Sequence, residues 1–251
     1  MLAYISGLFI IGVIRFGIQN HWGVETFGEI SLSLSISNIL MVFISAISVA
    51  IFPLLRRTSE LNYRQTYLQI KTLLMTIILG AMIFYFPMIF LLYKWLPAYN
   101  ESLKYMAIIF PIVIFEGKVN LLTNTYLKVL RKERIIFKVN LVSAILSMVV
   151  GVISIYLLND LFLSVLSIVV LLAFRSAYAE IALAKYLDIN PYKDMIIEFI
   201  FSFVFIFVSM NYSRIIGMTF YSLLFLLYLF YQRKQIYSTV TLIKNQLLKN
   251  V

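Results

Sequence analysis

Apolar residues fill this chain in long runs, and polar residues gather in short breaks between them. The runs cover roughly 2–20, 28–52, 69–93, 104–127, 135–158, 161–184, 195–211 and 214–231. Each is near the roughly 18–20 residues that a helix needs to cross a hydrocarbon layer. No water is available there, so every backbone N–H and C=O must bond within its own segment, which selects helices. The pattern predicts an all-α, polytopic membrane helical bundle of about eight transmembrane helices. The seventh and eighth runs are short and part at Arg214 and Gly217. In span two, Ser31, Ser33, Ser35 and Ser37 alternate as in a strand, but the apolar run continuing to Phe52 favours a helix. On a helix Ser31, Ser35, Asn38 and Ser45 share a face, the kind of small polar surface on which membrane helices pack.

Composition strengthens this reading and removes others. The chain is 62% hydrophobic and 13% charged, with a mean hydropathy of +0.95, which leaves no material for a soluble domain. It has no cysteine, so disulfides, thiolate metal sites and thiol nucleophiles are excluded. The single histidine, His21, sits beside Trp22 and lacks the second ligand a metal site needs. A formal charge of +10 would suit nucleic acid, but the basic residues are spread over short loops and form no basic module. Met1 enters an apolar run directly, without a basic n-region, which predicts no removable signal peptide. No phosphate-binding glycine loop, zinc-protease helix or nucleophile elbow is present, and the expectation is a protein that is not an enzyme.

The loops set the expected orientation. Fifteen of the 21 Lys and Arg fall on one side. They are Arg56, Arg57, Arg64 and Lys71 between spans two and three, then Lys128, Arg131, Lys132, Arg134 and Lys138 between four and five. Lys185 and Lys193 lie between six and seven, and Arg233, Lys234, Lys244 and Lys249 follow the last span. The opposite loops carry Lys94, Lys104 and Arg214. Cytoplasmic loops keep Lys and Arg, so both termini are expected in the cytoplasm. The tail repeats apolar residues at Ile236, Val240, Ile243 and Leu247. That stripe suits a helix on the inner leaflet, held by apolar contact and anionic lipid; a solvated tail is the alternative.

Charges inside spans are costly and face a bundle interior or a wet cavity. Arg15, Glu116, Lys118, Arg175 and Glu180 are such residues. Glu116 and Lys118 are two positions apart, about 200° on a helix, so one face of span four is expected to line a cavity and the other to meet a neighbouring helix. Asn120 and Asn124 share the Glu116 face. Pro111, five residues earlier, is expected to kink the span, and a broken helix beside charge is how transporters build substrate or ion sites. Arg175 cannot discharge and offers a fork suited to phosphate. It is the leading candidate for binding an anion, with a structural ion pair to Glu116 or Glu180 as the alternative. Glu180 lies nearer the inner end, within snorkelling reach of water.

The stretch Phe27–Arg57, FGEISLSLSISNILMVFISAISVAIFPLLRR, resembles the polysaccharide flippases of the multidrug/oligosaccharidyl-lipid/polysaccharide (MOP) exporter superfamily. In that family a helix near the start of the second half opens with Phe-Gly and ends in Pro-x-x-Arg-Arg, here Pro53, Arg56 and Arg57. The resemblance implies a second six-helix lobe over 1–186, an extra helix pair over 187–231 and a cytoplasmic tail over 232–251. It also implies a missing N-terminal lobe or partner chain. The function it implies is flipping of an undecaprenyl-pyrophosphate-linked oligosaccharide repeat unit across the bacterial cytoplasmic membrane during surface polysaccharide synthesis, beside the polymerase machinery. Arg175, Lys118 and Arg15 would bind the pyrophosphate. Glu116 with Asn120 would carry a coupling Na⁺ or H⁺, and no cofactor is expected. A drug or metabolite exporter of the same superfamily is the near alternative. A membrane-embedded polymerase or ligase is the distant one, disfavoured by the short outer loops.

Overall fold

The computed structural model of the chain describes residues 2–56 and 63–248, with side chains described over 9–43, 63–97, 99, 103–239 and 241. The first two helices are α1 (Leu2–Trp22) and α2 (Val24–Arg56). Gly23 joins them at φ +93°, a left-handed conformation that only glycine adopts without steric cost. Span three is α3 (Tyr63–Ala81), a 3₁₀ turn at Met82–Phe84, and α4 (Tyr85–Trp95). The tightened turn lies just ahead of Pro87, whose missing N–H interrupts the α-helical ladder.

Span four is broken twice. It begins as α5 (Asn100–Ile109), turns at Phe110 and Pro111, and resumes as α6 (Ile112–Gly117). The Ile114 N–H donates to the Pro111 carbonyl at 3.0 Å, a tightened turn at the position where the proline was expected to kink the helix. A π-helical turn then covers Lys118–Thr123 before α7 (Asn124–Val129). Next come α8 (Glu133–Val152), which ends in a second π turn at Ile153–Leu157, and α9 (Leu161–Leu187). The Asp160 side chain caps α9 by accepting the Leu163 N–H. The chain closes with α10 (Tyr192–Asn211) and α11 (Arg214–Leu248). No strand occurs among the described residues.

Seven spans among the described residues are long and apolar enough to cross a membrane, and α1, of 21 residues, adds an eighth helix of comparable length. The protein is a multi-pass helical membrane protein. Its outside is apolar: Phe137, Phe203 and Leu227 are each more than 60% exposed, as expected where lipid is the neighbour. The seventh and eighth runs are two separate helices, α10 and α11, joined through Tyr212 and Ser213. α11 continues without interruption to Leu248, so no break separates the last span from the start of the tail. The side chains of Val240, Ile243 and Leu247 lie outside the described residues.

α1 packs on α8, α2 and α9, while α11 packs on α3 and α10. The seam between the last helix pair and span three is tight. A Cβ on Gly217 would stand 2.8 Å from the Phe86 ring and 3.4 Å from Val208. Phe86 is itself held among Tyr85, Phe205 and Tyr221, so its ring has little room to retreat. Gly217→Ala is therefore expected to destabilise the protein by about 1–3 kcal/mol, read as a lower melting temperature in detergent. An unchanged melting temperature would mean that α11 is not held against α4 in this way.

Candidate functional site

The ionisable residues of spans three, four, six and seven converge in the interior. Glu116 stands at the middle of the 27-residue span Leu103–Val129. Its Oε1 accepts the Arg175 Nη1–H at 2.5 Å, and its Oε2 accepts the Asn120 amide at 2.6 Å. Arg175, from α9, also donates through Nε to the Asn140 side-chain oxygen of α8 at 3.1 Å. Arg175 is 0% exposed. A buried guanidinium needs such a set, because its charge cannot be removed and leaving it unpaired in hydrocarbon is costly.

A second cluster lies beside the first, toward the end of the bundle that carries most Lys and Arg. Lys118 is fully buried and donates to Glu180 Oε2 at 2.7 Å and to Glu198 Oε2. Glu180 Oε1 accepts from Lys71 and from the Tyr67 hydroxyl, the latter at 3.4 Å. Lys71 also pairs with Asp194 at 2.6 Å. Asp194 is the outermost member, with 31% of its side chain exposed. Between Asp194 and Glu198 lies a cavity of about 20 Å³, lined also by Lys71, Tyr228 and Gln232, large enough for about one water. Glu198 Oε1 borders on this region, buried and without a hydrogen-bond partner among the described residues. Two lysines thus face three carboxylates, and the charges balance except at the mouth.

These positions change the sequence-based picture in three ways. First, both charged faces of span four meet protein: Glu116 reaches Arg175, and Lys118 reaches Glu180 on the same helix and Glu198 on α10. Where one face was expected to line a cavity, α9 presents partners five residues apart, one for each face. Arg175 and Lys118 are therefore enclosed by carboxylates and line no open cavity. Second, Lys71 was counted among the loop residues, yet it is 3% exposed and lies inside α3. With Asp194 and Glu198 it was missed as part of a site. The signal was present: Tyr67 and Lys71, and Asp194 and Glu198, are each four residues apart on one helix face. Third, over its described residues the packed face of α2 is not the expected one; Ser45, also placed on that face, lies outside the described side chains. Ile30, Ser33, Leu34 and Ser37 are buried, whereas Ser35 and Asn38 are exposed. The first four follow helical i, i+3, i+4, i+7 spacing, so this stripe turns toward α1 and α5 and rotates the other polar face outward.

Arg15 stands apart from both clusters. It is half-buried, donates to Ser31 Oγ at 2.5 Å and lies 4.9 Å from the centre of the Phe27 ring. Its Nε is without a hydrogen-bond partner among the described residues. The Ser35 hydroxyl donates to the Ser31 carbonyl at 2.8 Å, so Arg15, Ser31, Ser35 and Asn38 form a polar strip along the uncovered side of α2. Exposed Ile39, Val42 and Phe43 continue it as an apolar one. His21 lies at the end of α1 and meets the Asn159 side chain at 2.7 Å, with Trp22 and Tyr156 at its edges. Pro53, Arg56 and Arg57, which close the flippase-like stretch, lie outside the described side chains.

No family model, no curated protein and no solved structure matches this chain.

Proposed function

We propose that this chain is one lobe of a transporter that flips an undecaprenyl-pyrophosphate-linked oligosaccharide across the bacterial cytoplasmic membrane, with both termini in the cytoplasm. A second lobe, on a longer chain or a partner, completes it. The observation that carries this reading is the uncovered side of α2. The Ser35 hydroxyl is met by the Ser31 carbonyl, but an exposed amide at mid-span is costly against lipid, so Asn38 calls for a protein wall or a water-filled path opposite it. The strip changes from Arg15 and hydroxyl groups at one end to Ile39, Val42 and Phe43 toward the middle. That order matches a cargo with a charged, sugar-bearing head and an isoprenoid tail. The resemblance of Phe27–Arg57 to polysaccharide flippases supports the same cargo.

In this reading Arg15 is the cation that meets the pyrophosphate, because among the described span cations it alone opens onto the uncovered side. Arg175 and Lys118 become available to phosphate only when their carboxylates are neutralised. Neutralising Glu116, by a proton or by Na⁺ held with Asn120, would release Arg175 for the cargo, which couples cargo binding to an ion.

Arg15→Gln is the test. Losing a charge-assisted contact to phosphate is expected to lower translocation about tenfold or more, while the melting temperature changes little, since Arg15 is half-buried and pairs with a single hydroxyl. The readout is the outer-leaflet fraction of the labelled lipid-linked oligosaccharide in cells. Wild-type translocation in this variant would remove Arg15 from the cargo path and, with it, the role given to α2.

A further inference from the structure

Glu198 is buried, and its hydrogen bonding is incomplete. It is 3% exposed. Its Oε2 accepts from Lys118, while its Oε1 meets no donor among the described residues. Leaving a buried carboxylate oxygen in that condition is costly. One turn earlier on α10, Asp194 reaches the surface with 31% of its side chain exposed. The cavity of about 20 Å³ joins the two residues, and Lys71, Tyr228 and Gln232 also border it. One water placed there has enough polar neighbours to be held.

The surroundings select what else the site can take. A metal cation in the cavity would meet the Lys71 ammonium, a charge of the same sign. Among the described residues no three His, Asp or Glu side chains converge to hold a metal. A proton meets neither obstacle, because it joins the carboxyl group and turns Oε1 from an acceptor into a donor. The charged and titratable groups around Glu198 are Lys71 and Tyr67 of α3, Lys118 of span four, Glu180 of α9, Tyr228 of α11 and Asp194 of its own helix. α5 also packs on α10, with Lys104 at the far end beside Ser209 and Met210. Glu198 shares Lys118 with Glu180, and Glu180 shares Lys71 with Asp194.

We infer that Glu198 is a proton-accepting site, served from solution by Asp194 and one water in the cavity. Asp194 takes a proton at the exposed end and passes it to the water. The water gives up one of its own protons to Glu198, where the Oε1–H bond forms. Asp194 and the water end as they began, and Glu198 is neutral. Its charge no longer holds Lys118, which stays with Glu180, so α10 loses an ion pair to span four. The site is separate from Glu116 and from the uncovered side of α2, and it does not rest on the transport reading.

The test is infrared spectroscopy of the purified full chain in mild detergent as the pH is lowered from neutral. A protonated carboxyl group has a C=O stretch that a carboxylate lacks. Subtracting the spectrum of Glu198→Gln from that of the wild type isolates the Glu198 band. It is expected to appear before the protein unfolds, to vanish when the pH is returned and to shift in heavy water. Lys118→Met/Glu198→Gln removes both partners together and serves as the subtraction if the single variant does not fold. After a rapid drop in pH, the band is expected to grow about a hundredfold more slowly in Asp194→Asn, which lacks the positioned proton carrier. A difference spectrum without the band at every pH short of unfolding would overturn the site. So would a band that grows in Asp194→Asn at the wild-type rate.

Discussion

Arg175→Ala is expected to cost about 3–5 kcal/mol of stability, the penalty for removing one partner of a buried ion pair, and to abolish translocation. The substitution strands Glu116 at mid-span with only the Asn120 amide to meet it, and it takes the donor from Asn140. Stability and transport are expected to part in the double variant Arg175→Ala/Glu116→Gln. That change removes both charges, so most of the lost stability should return, because pairs neutralised together cost far less than pairs broken on one side. On the proposed transport role, translocation should stay absent, since neither the cation assigned to the phosphate nor the carboxylate assigned to release it remains. Melting temperatures in detergent and the outer-leaflet cargo fraction in cells read the two effects separately. A double variant that transports like wild type would reduce the pair to a structural role.

The second large effect is expected at Lys118. Lys118→Met leaves Glu198 without its lysine in the interior, and Glu198 Oε1 already has no hydrogen-bond partner there. A loss of about 3–5 kcal/mol follows from the uncompensated buried charge. Glu180 suffers less, because Lys71 still donates to it. Adding Glu198→Gln should recover most of the loss. Lys71→Met is expected to be milder: Glu180 keeps Lys118, and Asp194 is partly exposed and can take water in place of the amine. Chemical unfolding of the four proteins in one detergent gives the comparison. A Lys71→Met variant as unstable as Lys118→Met would show that the cluster does not depend on how deeply each lysine is enclosed.

Most of the helices were legible in the chain itself. The run at 195–211 is α10 to within a few residues, the run at 214–231 starts where α11 starts but the helix continues to Leu248, and the break foreseen at Pro111 is present. The π turn that follows at Lys118 was not foreseen; it follows from no residue type and lies where Lys118 is held by carboxylates of two other helices. Of the site, the individual charged residues could be named but not their partners. Arg175 and Glu116 are 59 residues apart, and Lys71 and Glu180 are 109 apart. Lys71 was misplaced because it sits near the start of its span, where hydropathy does not distinguish a loop from an enclosed helix end.

The chain by itself determined that it is a membrane protein made of helices, because hydrocarbon forces each span to satisfy its own backbone, and that requirement is local. It also determined which side chains would be expensive in that setting. The tertiary structure decided which of them neutralise one another and which stay open. That depends on the rotation of each helix about its axis, which is set by packing against several neighbours at once. The turn of α2 shows it: burying Ile30, Ser33, Leu34 and Ser37 places Ser35 and Asn38 on the outside, and no property of the four serines alone distinguishes that rotation from the opposite one.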